Sequence, residues 1–150
     1  MNIENQTQYI LLGAVLTFSE YADVLQDLEI DDFCEELRNT FAAIRGYWEH
    51  NDKWNSVEVM GQYDDKCKKA MGECLDAFGA EFIRNVTHDM MQGWARIVKE
   101  QAALARARGL AFRIVDGSTR YADLTGIYEQ LGEAITYTAR EAISSRCAMA

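Results

Sequence analysis

The stretch "GWARIVKEQAALARARGLAFRIVDG", residues 93–117, decides how this chain is read. It is basic and alanine-rich inside an acidic protein. Arg96, Lys99, Arg106, Arg108 and Arg113 against Glu100 and Asp116 leave it at +3, so the rest of a chain of net charge −9 sums to −12. Trp94, Ile97, Val98, Leu104, Ala105, Ala111, Phe112 and Val115 recur at helical spacing. They predict one helix of about seven turns, interrupted by Gln101 and Arg108 and weakest at Gly109.

Working outward towards the C-terminus, "DGST" at 116–119 breaks the pattern. Asp116-Gly117 ends one helix, and Ser118 or Thr119 can cap the next. Leu124, Ile127, Tyr128, Leu131, Ala134, Ile135 and Thr138 then repeat the spacing. Two apolar-striped helices joined by a short turn make an αα-hairpin. Each stripe must be buried, either against a second copy or partner or within one monomeric bundle. The reading favours an interface. By stripe position its residues are Ala105, Arg108, Phe112, Leu124, Ile127, Tyr128 and Leu131.

Working towards the N-terminus, shorter helical signals follow one another. Ile10, Leu11, Ala14 and Val15 form one stripe, with Gly13 costing about 1 kcal/mol there unless something packs closely against it. Ser19 can cap a helix presenting Tyr21, Val24, Leu25 and Leu28. Asp32 and Glu35 resemble a capping box before the stripe Phe33, Leu37, Phe41, Ile44 and Trp48. A loop near 46–55, anchored by Trp48 or Trp54, leads to a helix capped by Ser56 and then to one through "CKKAMGECLDAF" that Gly79 would stop.

Composition agrees with an all-α reading. The chain has 150 residues, 49% of them hydrophobic and 26% charged, and contains no proline to interrupt helices. A chain of this length buries roughly 68–70% of its unfolded surface, so a single domain needs no covalent staples. We expect a compact head over about 1–85 and a hairpin over about 86–146. No apolar run approaches the roughly 18 residues of a membrane span, and the N-terminus reads as neither leader nor anchor. A cytoplasmic protein is expected, with the sequons at Asn5 and Asn85 as chance matches and Cys34, Cys67, Cys74 and Cys147 as free thiols. On one helix Cys67 and Cys74 would stand about 10 Å apart along the axis, beyond disulfide reach.

Catalytic patterns are missing from the sequence. There is no G-x-x-x-x-G-K-[ST] phosphate loop, no G-x-G-x-x-G, no G-x-S-x-G and no E-x-x-H pair. His50 and His88 do not combine with cysteines at zinc spacing, and His88 and Asp89, about 100° apart on a helix, do not orient each other. Asp27, Glu29, Asp31, Asp32, Glu35 and Glu36 lack the calcium-loop order and read as a solvated acidic face. Neither an enzyme nor a cofactor or metal protein is expected. Arg96, Lys99, Arg106 and Arg113 do fall near one face, as phosphate tracking requires, yet a pI near 4.7 opposes approach to a polyanion. An acidic helical regulator binding nucleic acid through that face is the alternative function.

Four stretches taken in order carry a family resemblance: "QYILLGAVL" with Leu12-Gly13, "ADVLQDLEIDDF" ending at Asp31, Asp32 and Phe33, "WARIVKEQA" at 94–102, and "DLTGIYEQLGEAI" at 123–135. From about Gln8 to Ile135 the chain resembles the N-terminal domain of DnaB-type replicative DNA helicases. It departs from the pattern where "CEEL" is acidic after Phe33, at the large Trp94, and at Ala105, where an arginine is expected and Arg106 stands next door. The resemblance implies a helical head followed by a hairpin, hairpin-mediated dimers, and three dimers forming a ring collar that docks primase and sometimes a loader. It places ATP, Mg and translocation in a separate C-terminal domain, so this chain is expected to be noncatalytic.

Overall fold

The computed structural model describes residues 5–82, 85–115 and 126–133, the side chains of 80–82 excepted. Every regular element among them is helical: α1 (Gln6–Thr17), 3-10 turns at Ser19–Leu25 and Ile30–Asp32, α2 (Glu35–His50), α3 (Ser56–Met60), α4 (Asp65–Phe82), α5 (His88–Val115) and a helical segment at 126–133. The chain divides into two compact units, with the boundary after Val98. None of these helices is long and apolar enough to cross a membrane.

In the first unit α1 is the central helix. Every residue from Gln8 to Leu16 is buried, so it is enclosed on all sides and not along one stripe. Its main partner is α4. They cross where Gly13 meets Cys74: a Cβ on Gly13 would stand 2.7 Å from the Cys74 carbonyl carbon and 2.8 Å from Phe78 Cβ. Close packing therefore accounts for a glycine inside a buried helix. Gln8, buried in the same helix, accepts the Cys34 N–H at 2.7 Å and so fixes the start of α2 against α1.

Helix α2 buries Leu37, Phe41 and Ile44 of the predicted stripe and Thr40 beside them, while Trp48 is half-buried. Phe33 and Phe41 stack with ring centroids 4.4 Å apart. Arg45 reaches back to donate to the Leu28 carbonyl at 2.6 Å, and Tyr63 donates to the Ala43 carbonyl at 2.8 Å. Trp54 is the loop anchor, buried edge-on to Tyr47.

Several local expectations are corrected. Ser19–Leu25 is a 3-10 turn without a side-chain cap. The capping box joins Glu29 to Asp32 and not Asp32 to Glu35: the Asp32 carboxylate accepts the Glu29 N–H at 2.8 Å, which also explains why Asp32 is the buried member of the acidic cluster. Asn55 caps α3 in place of Ser56, accepting the Glu58 N–H at 2.9 Å. Helix α4 is capped by Asp64, which accepts from Cys67 N–H at 2.8 Å, and it runs through Gly79 to Phe82. A glycine in a helix interior costs only about 1 kcal/mol relative to alanine, so it does not by itself end a helix.

Helix α5 is about 42 Å long at 1.5 Å per residue. Thr87 caps it, accepting the Met90 N–H at 3.2 Å. Met91 and Val98 are fully buried and Trp94 and Ala95 pack beside them, so the first turns of α5 belong to the core of the first unit. The first unit accordingly runs to Val98.

Candidate functional site

The candidate site lies in the second unit, on the part of α5 beyond Val98. Ala103 and Leu110 are the buried apolar residues of this stretch. At about 100° per residue they fall on one side of the helix together with Lys99, Arg106 and Arg113. The same five residues line a cavity of about 640 Å³ with Gly109 and, from the segment 126–133, Gln130 and Glu133. Long cationic side chains lay their methylene stems beside buried apolar residues and keep their charges at the edge, which suits three cations flanking Ala103 and Leu110.

The opposite side of the helix is apolar as well, and open. Leu104, Arg108, Ala111, Phe112 and Val115 share it; Leu104 is 41% exposed, Phe112 67% and Val115 84%. The helix therefore presents two apolar sides, of which Ala103 and Leu110 mark the covered one.

Of the residues expected at an interface, Ala105, Arg108 and Phe112 are exposed and lie on or beside this open side. Tyr128 is 57% exposed and Leu131 half-buried. Ile127 is only 4% exposed: it is packed inside the chain and is not surface. Leu124 lies outside the described residues. Sequence reading noted the cations of this side but did not single out Ala103 and Leu110 between them. The signal that could have found it is the spacing 99, 103, 106, 110 and 113, a heptad-like seam.

His88 is placed by a partner distant in sequence. Its Nε2 lies 2.9 and 3.1 Å from the two carboxylate oxygens of Asp23, with the Tyr21 ring 5.5 Å away. The pair ties the start of α5 to the Ser19–Leu25 turn, and both side chains are partly exposed. Cys34 and Cys67 are half-buried free thiols and Cys74 a fully buried one; burial pushes all three thiols up, Cys74 furthest. Cys147 lies outside the described residues. Among the described residues no three His, Cys, Asp or Glu side chains cluster as metal ligands do.

The chain matches no family model, no curated protein and no solved structure.

Proposed function

We propose that this chain is a noncatalytic assembly and docking domain, acting as the N-terminal domain of a replicative helicase does. The observation that carries the reading is the open apolar side of α5, with Leu104, Phe112 and Val115 exposed opposite the covered Ala103 and Leu110. An exposed apolar strip on a helix costs hydration free energy until another surface covers it. The four sequence stretches that resemble DnaB-type helicases support the choice of covering surface: a second copy, pairing through the α5 arm as one side of a hairpin. In that reading dimers assemble further into a ring collar, primase or a loader docks on it, and ATP hydrolysis belongs to another domain. No cofactor or metal takes part in this chain.

The test is light scattering of the full chain beside Phe112→Asp/Val115→Asp. A wild-type dimer and a monomeric variant with an unchanged far-UV spectrum support the proposal. A monomeric wild type sinks it. Calorimetric titration with the helicase-binding domain of primase tests the docking half separately.

The alternative, a regulator using the arginine-lined side of α5 on nucleic acid, rests on the +3 charge of residues 93–117. Lys99, Arg106 and Arg113 line a cavity with Glu133, an arrangement that favours intramolecular electrostatics over a strip turned to a polyanion. Absence of a DNA gel shift at low salt would remove that alternative.

A further inference from the structure

Beyond Val98 the open side of α5 has an order of its own. Gln101, Leu104, Arg108, Ala111 and Val115 follow one another at steps of three, four, three and four, and all five are exposed. Alternating steps of three and four are the spacing along which a second helix packs and stays in contact, because they average 3.5 residues. The opposite side of the same stretch has its apolar residues, Ala103 and Leu110, already covered.

An apolar seam by itself names no occupant; the charges in and beside it do. Arg108 stands in the middle of the seam, exposed, and Glu100 flanks its start, half-buried. Among the described residues neither has an ion-pair or hydrogen-bond partner, whereas Arg106 donates its Nε–H to the Ala102 carbonyl at 3.4 Å. Eight residues along one helix separate Glu100 from Arg108, about 12 Å at 1.5 Å per residue, so the two do not pair within one chain. A seam that holds an arginine at its centre and a carboxylate near one end is complementary to itself when reversed.

On the footing of the self-association proposed above, we infer that the seam is covered by α5 of a second copy running antiparallel, with Leu104 of each copy opposite Arg108 of the other and Gln101 opposite Ala111. The two-fold axis of this register passes at the level of residue 106. Each Arg108 then stands about one helical turn, roughly 6 Å along the axis, from Glu100 of the other copy, within reach of two long side chains. Its methylene stem lies on the facing Leu104 while the guanidinium turns outward to the carboxylate. Ala105 and Ala107, on either side of the axis level, keep the helices free to approach. A parallel pair does the reverse: it sets Arg108 against Arg108 and leaves each Glu100 about 12 Å from the nearest of them.

Photochemical crosslinking of the full chain reads the direction. Phe112→4-benzoylphenylalanine keeps an aromatic ring at an exposed position, and irradiation of the dimer followed by mass spectrometry should place the crosslink at Glu100 or Gln101 of the second copy. Sedimentation equilibrium then reads the charge pairing. Glu100→Arg and Arg108→Glu should each weaken the dimer about tenfold, since every reversal acts twice in a two-fold pair, and the double reversal should restore near wild-type affinity. Far-UV circular dichroism should be the same for all of them. A crosslink into residues 109–115 of the second copy, single reversals without effect, or a double reversal no tighter than the singles overturns the antiparallel pairing and leaves self-association standing. A wild-type chain that stays monomeric removes both.

Discussion

Gly13 of α1 and Cys74 of α4 meet backbone to backbone: the position a Gly13 side chain would occupy lies 2.7 Å from the Cys74 carbonyl carbon. Among the described residues α1 and α4 form the most extensive helix pair and α1 is the most enclosed element, so this crossing sets how closely the core of the first unit can pack. Replacing Gly13 by Ala gains about 1 kcal/mol of helix propensity but forces backbone apart from backbone, an overpacking cost of about 1–3 kcal/mol or more. Gly13→Ala should lower urea stability. Gly46→Ala and Gly72→Ala, with nothing within 4 Å of the added methyl, should raise it by roughly 0.5–1 kcal/mol each.

The second unit offers a paired test. Ile127 is 4% exposed and Tyr128, next to it, is 57% exposed. Ile127→Asp removes a buried apolar side chain and buries a carboxylate, which should cost about 2–5 kcal/mol. Amide exchange in 99–115 should accelerate sharply. Tyr128→Asp should leave that exchange unchanged while weakening any self-association seen by light scattering.

Alkaline pH should destabilise the protein. Burial raises the Cys74 thiol far above its ordinary value of 9.0 and the Tyr9 phenol from 10.0 to about 12. In each case the folded state holds its proton where the unfolded chain has released it. Stability is then full below about pH 9 and falls as pH rises, by about 1.4 kcal/mol per pH unit for each group inside its window. Urea midpoints at pH 8, 9.5 and 10.5 should decline in that order. Tyr9→Phe should lessen the drop between the last two. A flat profile would show that neither group is held neutral by the fold.

The His88–Asp23 contact should matter little to global stability. Both side chains are more than a third exposed, and exposed pairs contribute about 0–1 kcal/mol. Asp23→Asn should shift the urea midpoint only slightly. Amide exchange at the first turn of α5 should nevertheless rise, since the pair joins that turn to the Ser19–Leu25 segment.

Thiol labelling follows burial. In the native protein an aromatic disulfide reagent should modify Cys74 only at the rate of unfolding, because its side chain is inaccessible. Cys34 and Cys67, half-buried with raised thiols, should react slowly but measurably without denaturant. Rapid native labelling of Cys74 would show that the α1–α4 crossing opens readily.

By itself the sequence determined the all-helical class and most helix positions. Helical periodicity, capping residues and the absence of proline are local properties, and they were enough to locate α1, α2 and α5. What surrounds each helix was a tertiary decision. Nothing local could say that α1 is buried on every side, that Asp32 turns back to Glu29, or that α4 continues through Gly79. On α5 both sides are apolar. Periodicity marked the Leu104 and Phe112 side as one for a partner to cover, but it did not single out the opposite side, where the fold covers Ala103 and Leu110. A cavity beside Tyr9 was invisible for the same reason: residues 9, 36 and 73 stand on three separate helices, and only their packing brings them to one place. Hydrogen bonding along a helix fixes local geometry, whereas burial depends on which distant surface arrives to exclude water.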